Sequence, residues 1–242
     1  MRISVAYLVV VDISGYTRFV TERSLTLAHA EQIITDLINA VLDRACHPMI
    51  LNKLEGDAAL MYREVEDDAV EAGHDVLAQV RSFFPAFHAC ATKLRADRHN
   101  CTCDACANIA ALKLKAFVHL GEIAIKQVRQ FEELAGEPVI LVHRLMKNAV
   151  PGNEYVLLTQ SAISGARLDQ GNLRTHTEAV EGMGVHHLWL IDPLDLPELT
   201  IPARSAPAEP PMPIRSDVYR HLPLARPGFW RMITGWLPSR TA

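Results

Sequence analysis

The sequence has no apolar run that reaches the roughly 18 residues of a membrane-spanning helix. Aromatic residues make up only 6% of the chain, and the formal net charge is only −4 over 242 residues. Such a small charge gives no general attraction to nucleic acid, so we expect none as a partner. The N-terminal apolar run also lacks the small-residue cleavage pattern of a secretory signal, and we expect a cytoplasmic protein.

Cysteine is scarce and odd in number, with three of the five residues in the segment CTCDAC at 101–106. In a reducing compartment this clustering favours a metal or redox role over a disulfide framework. Soft thiol and imidazole ligands suit Zn²⁺, and four of them lie within eight residues: His99, Cys101, Cys103 and Cys106. Redox chemistry and unligated thiols stay open as alternatives, and Cys90 or His88 can be drawn on to complete a metal shell.

The sequence does contain a globular share of apolar residues, 49%, with 21% charged residues. Periodicity predicts strands at 3–14, 112–128, 155–159 and 186–192, a hairpin at 49–62, and helices at 26–45, 67–94 and 137–150. We expect a break in the second helix near Pro85. The order of these elements predicts an α+β, ferredoxin-like, antiparallel-rich sheet with helices packed on it.

Composition divides the chain into three parts. We expect a folded domain at 1–195 with a Cys-rich insertion at 95–108, and an extended proline-rich linker at 196–215. The tail at 216–242 combines arginines with Phe229, Trp230 and Trp236. Residues 201–242 carry about +4, which leaves about −8 on residues 1–200. We expect the tail to dock on its own domain, with a partner protein or a membrane interface as the alternatives.

Two aspartates stand where predicted strands end. Asp12 follows the apolar run of the first strand, and Asp57 lies in the hairpin turn EGDA. A strand end and a neighbouring hairpin turn can lie side by side, and two adjacent carboxylates repel each other unless a cation lies between them. Hard ions such as Mg²⁺ bind through such carboxylates and substrate phosphates. The residues leave a structural alternative open, in which Asp12 caps a helix starting near Tyr16 and Asp57 only makes a turn.

Four segments together resemble one enzyme family. DISGYTRF and KLEGDAALMY resemble the first two motifs of the class III nucleotidyl cyclases, and VHLGE resembles their next strand. EELAGEPVILVHRLMKNAVPGNEYVLLT resembles the glycine–helix–strand segment that carries their transition-state residues. The resemblance runs in order from about residue 5 to 192 and implies a nucleotide cyclase-like fold. The chain also resembles an uncharacterised bacterial branch of that superfamily, DUF2652.

The resemblance implies roles for individual residues. Asp12 and Asp57 fall on the two aspartates that bind two Mg²⁺ or Mn²⁺ ions, and the backbone of Ile13 and Ser14 would approach the phosphates. It also implies a homodimer, since metal-binding and base-reading residues of one site come from different subunits.

Three further positions match residues that recognise the nucleotide. Lys53 and Glu133 match the donor and acceptor that read adenine, and Arg144 matches the arginine that neutralises charge as the triphosphate breaks. Ordinary solvated charges remain the alternative interpretation for all three. His119, on an apolar strand, is expected to be an interior histidine rather than a ligand.

Two positions depart from the family pattern. Ile140 stands where the ribose-orienting asparagine is expected, and Glu181 stands where a phosphate-binding lysine is expected. Phosphoryl transfer depends on positioning and charge stabilisation, so both changes weaken the expected catalysis. We therefore expect a cyclase homologue that binds a purine nucleoside triphosphate and a divalent metal at a homodimer interface, with cyclase activity weak or lost. The alternative is an active adenylate cyclase that makes cyclic AMP and pyrophosphate.

Overall fold

The computed structural model describes residues 1–21, 27–171 and 173–196. The predicted linker, after its first residue, and the predicted tail at 216–242 lie outside the described residues. Within the described part, no helix combines the length and the apolar character that crossing a membrane requires.

Within the described residues, eight strands form one sheet. They are β1 (Arg2–Ser14), β2 (Ile50–Glu55), β3 (Ala58–Glu64), β4 (Lys113–Val128), β5 (Phe131–Ala135), β6 (Tyr155–Thr159), β7 (Arg174–Val180) and β8 (Gly184–Ile191). The strand order is β2-β3-β1-β4-β6-β8-β7, and β5 pairs with β4. Only the β4–β6 pair of this described sheet is parallel. The predicted α+β, antiparallel-rich sheet is confirmed.

Helices cover both faces of the sheet. They are α1 (Tyr16–Thr21), α2 (Leu27–Leu42), α3 (Ala69–Asp97), α4 (Asp104–Ala107), α5 (Glu137–Leu145) and α6 (Gln160–Gly165), with short 3₁₀ turns at Ile109–Ala111 and Pro193–Asp195. Successive side chains of β1 alternate between the two faces. Val9 and Val11 therefore pack in the core under α2 and α3, while Leu8 and Val10 pack in the core under α5. Burial on both faces explains the unbroken apolar run of β1.

Helix α3 corrects one prediction. It continues through Pro85 without a break, although proline removes one backbone hydrogen bond of the helix. Phe83, Phe84 and Phe87 are all buried around this position, and their packing holds the helix together. The exposed ring of Pro85 lies on the opposite, solvent-facing side.

Two strands were missed by the periodicity argument. β5 and β7 are rich in charged and exposed residues, so neither shows the apolar alternation of a half-buried strand. β7 pairs with β8 around Glu181 and Gly182, in the late hairpin that the family resemblance implies. Helix α5 ends at Leu145, five residues before the predicted end at 150.

Candidate functional site

The end of β1 and the β2–β3 turn lie beside each other. The backbone amide of Ile13 donates a hydrogen bond to the carbonyl oxygen of Asp57 at 3.2 Å. Asp12 is opposite Ala58 in β3, the residue next to Asp57. The turn that carries Asp57 is therefore fastened to the strand that carries Asp12, which is the juxtaposition expected from the sequence.

The electrostatics of this corner are unfavourable for two free carboxylates. Burial, together with the nearby charges of Asp12 and Glu31, raises the pKa of Asp57 to about 6. Burial also raises the pKa of Asp12, and the charge of Lys115 opposes that shift. A cation bound between the two carboxylates would relieve the repulsion between them.

Lys115 is a residue of this corner that sequence reasoning missed. It lies opposite Asp12 in the β1–β4 ladder, and its ammonium group lies 5.0 Å from the ring centroid of Tyr155. The lysines of LKLKAFV alternate with apolar residues on a strand beside β1, and this alternation is the signal that places Lys115 on the face of Asp12. The ammonium group of Lys115 therefore places a positive charge near Asp12 even without a metal ion.

Two of the five residues predicted to contact nucleotide, and both positions that depart from the family pattern, line a cavity of about 730 Å³ between β2, α5 and the β7–β8 hairpin. Its lining includes Lys53, Ile140, Arg144 and Glu181. Arg144 points toward the hairpin turn, since a Cβ atom added to Gly182 would lie 3.4 Å from an Arg144 guanidinium nitrogen. The fold thus joins positions that are up to 128 residues apart in the sequence.

The charges around this cavity balance one another. Lys53 Nζ lies 2.8 Å from Glu55 Oε1, and His143 Nε2 lies 3.3 Å from Glu55 Oε2. The hydrogen bond from Lys53 lowers the pKa of Glu55 despite partial burial. Three cationic side chains and three carboxylates line the cavity: Lys53, Arg144, Lys147, Glu55, Glu178 and Glu181. Such a balanced cavity lacks the positive excess that would attract a triphosphate.

Glu133 is not brought to this cavity. It lies on β5 opposite Lys126 of β4 and is absent from the described residues that line the cavity. The main chain of its neighbour Glu132 contacts β2, since the Asn52 side-chain amide donates to the Glu132 main-chain carbonyl oxygen at 3.0 Å, while the Glu132 carboxylate accepts a hydrogen bond from the Tyr62 hydroxyl on β3. Ile13 is buried, and Ser14 is half-buried at the end of β1.

The cysteine cluster forms around a different histidine from the predicted one. Single ligand atoms of His29, Cys101, Cys103 and Cys106 all lie within 4.8 Å of one another, so this group can hold a metal ion. The predicted His99 is not a member of this group, and its Nδ1 lies 2.9 Å from the carbonyl oxygen of Ala96.

The other two candidates for that shell are also engaged elsewhere. His88 lies 2.9 Å from Glu154, and the Cys90 thiol donates to the carbonyl oxygen of Asp36 at 3.5 Å. His29 was not predicted from the sequence, because it precedes the cysteines by more than 70 residues and α2 contains no other histidine or cysteine near it.

His119 is an interior histidine beside a smaller cavity of about 420 Å³. Its Nδ1 lies 2.9 Å from the Thr159 hydroxyl and 3.2 Å from the Ser161 hydroxyl. Burial lowers the pKa of His119 to about 4, and the charge of His186 contributes in the same direction. The neutral imidazole is therefore part of the hydrogen-bonded packing between β4 and the start of α6.

Comparisons with known proteins support both the fold and a family. The family model described as "Protein of unknown function (DUF2652)" matches residues 34–155. The uncharacterized protein Rv2561/Rv2562 of Mycobacterium tuberculosis is 37% identical over 126 residues, which are 52% of this chain. The matched part spans only 57% of the length of that relative.

Solved structures match over most of the described fold. The adenylyl cyclase CyaB from P. aeruginosa matches with a TM-score of 0.59 and 14% identity, over 79% of this chain and 95% of that chain. A class III adenylyl cyclase-like ATP-binding protein from Pseudomonas aeruginosa matches with a TM-score of 0.56 and 14% identity, over 67% of this chain and 35% of that chain. At these identities the likeness concerns the fold alone.

Proposed function

Because the chain belongs to the DUF2652 family and has the fold of class III nucleotidyl cyclases, we propose that it binds a purine nucleoside triphosphate with Mg²⁺ or Mn²⁺. In this proposal the sites lie at the interface of a homodimer, and cyclase activity is weak or lost. The observation that carries the proposal is the pair of half-buried carboxylates, Asp12 and Asp57, fastened together at the end of β1.

The chemistry of this pair fits a hard divalent cation. The pKa values of both carboxyl groups are raised, so a bound cation would stabilise their ionised forms. Mg²⁺ is a suitable cation, because proteins hold it with carboxylates plus substrate phosphates. When bound, such ions would neutralise the triphosphate and lower the pKa of the ribose hydroxyl. The chain itself would supply the two carboxylates and the backbone of Ile13 and Ser14 beside them.

A homodimer accounts for the second set of residues. Lys53 and Arg144 line a cavity of their own, so a symmetric pair of chains would supply both sets to each of two equivalent sites. Large apolar side chains are exposed on β2 and β5, where Leu54 is 54% and Phe131 60% exposed. Their burial against a second copy would stabilise the pair, because exposed apolar area favours association.

Three features of the cavity argue for weak or absent turnover. Ile140 lines it with a side chain that is 51% exposed and has no group to orient a ribose hydroxyl. Glu181 adds a negative charge beside Arg144, where the triphosphate would need a positive one. Lys53 already pairs with Glu55. Because electrostatic stabilisation and positioning are most of phosphoryl-transfer catalysis, losing them can cost several orders of magnitude in rate.

Incubation of the pure chain with Mn²⁺ and each nucleoside triphosphate, with separate measurement of binding and of cyclic product, tests the proposal. We expect a purine nucleotide to bind in a metal-dependent way and to give little or no cyclic product. Asp57→Ala should abolish the metal dependence, whereas the exposed Asp43→Ala should leave it unchanged. Failure of every nucleotide to bind, with or without metal, would contradict the proposal.

The alternative function is an active adenylate cyclase, favoured by the presence of Asp12, Asp57 and Arg144 together. Steady production of cyclic AMP and pyrophosphate that disappears in Asp57→Ala would select it. The double change Ile140→Asn and Glu181→Lys separates the two functions further. In a degenerate site it should raise the rate by at least tenfold, because it restores an orienting amide and a phosphate-binding charge.

The cysteine cluster has no part in this nucleotide chemistry. Thiolates are poor ligands for Mg²⁺ and good ligands for Zn²⁺, so the two kinds of metal that we propose would occupy separate sites. We also propose a cytoplasmic location, because a reducing compartment keeps the three clustered thiols available as ligands.

A further inference from the structure

Helix α2 begins beside the Cys-rich insertion, which is remote from it in the sequence. We propose that the two segments together hold one structural Zn²⁺ ion, bound by His29, Cys101, Cys103 and Cys106. The two segments are joined through α3, which packs on α2 and then leads into the insertion. This inference does not depend on the nucleotide function, because it uses other residues.

The distances within the cluster match one tetrahedral ion. His29 Nδ1 lies 3.4 Å from the Cys103 sulfur, 3.7 Å from the Cys101 sulfur and 3.9 Å from the Cys106 sulfur. With Zn–S bonds of about 2.3 Å and Zn–N bonds of about 2.0–2.1 Å, a tetrahedron separates nitrogen from sulfur by about 3.6 Å and sulfurs by about 3.8 Å. The three nitrogen–sulfur distances therefore stand near the values around one ion, and the three sulfurs lie within 4.8 Å of one another.

The same distances argue against an iron–sulfur cluster. A two-iron cluster carries its four protein ligands in two pairs on opposite sides, which requires a wide separation between the pairs. Here every ligand atom lies within 4.8 Å of every other. Three thiolates and one imidazole around a single ion are a common structural zinc set.

The site is structural because the four side chains fill a tetrahedral shell. No coordination position is then left for water or substrate, in contrast to catalytic zinc sites. The backbone also supports the arrangement: the amide of Cys106 donates to the Cys103 sulfur at 3.5 Å at the start of α4. A hydrogen bond from an amide stabilises the thiolate form that binds metal.

Binding would fix the start of α2 against the insertion. Glu31 lies two residues after His29, and its carboxylate accepts a hydrogen bond from the Tyr16 hydroxyl at 3.2 Å. The zinc site thus lies on the helix that contacts the segment following β1. Because an unfolded chain rarely presents a preformed site, the free energy of zinc binding adds directly to the stability of the fold.

Metal content and ligand identity of the full chain test the inference. Elemental analysis of protein purified under reducing conditions should give about one zinc per chain, and X-ray absorption should show three sulfur neighbours and one nitrogen neighbour. In competition with a chromophoric chelator, His29→Gln should weaken zinc binding at least tenfold, as should Cys103→Ser. The matched control His99→Gln should bind zinc as the wild-type chain does.

Four results would overturn the inference. They are unchanged zinc affinity in His29→Gln, loss of zinc in His99→Gln, iron instead of zinc, and a reduced wild-type chain that takes up no zinc when the ion is supplied. The X-ray absorption measurement on the wild-type chain decides the ligand set even when a variant fails to fold. Circular dichroism of each variant shows whether a loss of zinc reflects the missing ligand or an unfolded chain.

Discussion

Replacement of Asp57 by asparagine should stabilise the metal-free protein. At pH 7.5 the wild-type chain must ionise a carboxyl whose pKa is raised to about 6, against 3.8 as its ordinary value, by burial and by the charge of Asp12. That difference of roughly 2 pKa units corresponds to about 3 kcal/mol at 1.36 kcal/mol per unit. Solvent screening at a half-buried site reduces the gain to about 1–2 kcal/mol. Asparagine keeps the size of the side chain and suits a turn.

The pH dependence of this effect has a definite sign. Between about pH 3.8 and 6, folded Asp57 keeps a proton that the unfolded chain has lost. The stability of the metal-free wild-type chain therefore falls as pH rises through this window and stays low at neutral pH. In Asp57→Asn this contribution to the fall is absent. Asp12→Asn should gain less stability, because it leaves the Lys115 charge without its carboxylate partner.

Urea denaturation in the presence of a chelator, repeated with Mn²⁺, measures the prediction. The variant should unfold at a higher urea midpoint with an unchanged slope, and the exposed control Asp43→Asn should stay within about 0.5 kcal/mol of wild type. Mn²⁺ should stabilise the wild-type chain by about 1.4 kcal/mol for each tenfold excess over its dissociation constant, and should not stabilise Asp57→Asn. If Asp57→Asn is less stable than the wild-type chain in chelator, the ionised Asp12 and Asp57 carboxylates do not destabilise the metal-free protein. That result would refute a cation site between them.

Two further predictions concern the core. His119 has its pKa lowered to about 4 from 6.5, so its contribution to stability is present above pH 6.5 and is lost as pH falls toward 4. The loss amounts to about 2–3 kcal/mol. A His119→Gln variant should therefore show a flatter stability profile between pH 6.5 and 4, measured by urea denaturation at each pH. Gly73→Ala should lower the free energy of unfolding by about 1–3 kcal/mol, because its new methyl group would clash with the Tyr7 hydroxyl and lie 2.7 Å from Ala166 Cβ. A Gly73→Ala variant as stable as wild type would show that Tyr7 can move at no cost.

Much of the fold was predictable from local patterns. The strand pattern at 3–14, the EGDA turn and the helical stripe of α2 each correspond to an observed element, because periodicity reports directly on burial. β5 and β7 lie outside that rule, since exposed strands with polar side chains have little periodic signal. At Pro85 a local signal was misleading instead of absent. Proline predicts a helix break, but the packing of the neighbouring phenylalanines keeps α3 continuous.

The candidate sites divide in the same way. The sequence places Asp12 at the end of a strand and Asp57 in a hairpin turn, and the pairing of β1 with β3 brings these two positions together across 45 residues of sequence. The remote position of Glu133 did not follow, because it depends on how β5 pairs with β4. His99 was predicted as the fourth ligand because it is adjacent to the cysteines in the sequence, but adjacency in the sequence does not determine where a side chain points.

By itself the sequence determined the buried faces of the long apolar elements, where the β2–β3 hairpin turns, and that one carboxylate stands at the end of β1 and another in that turn. These features depend on residues within one or two turns or strands of each other, so side-chain period and turn chemistry are sufficient to encode them. Only the tertiary structure decided that His29 completes the thiol cluster and that Lys115 faces Asp12. Those contacts join residues more than 70 positions apart, and they exist only because helix packing and strand pairing bring separate segments to one place.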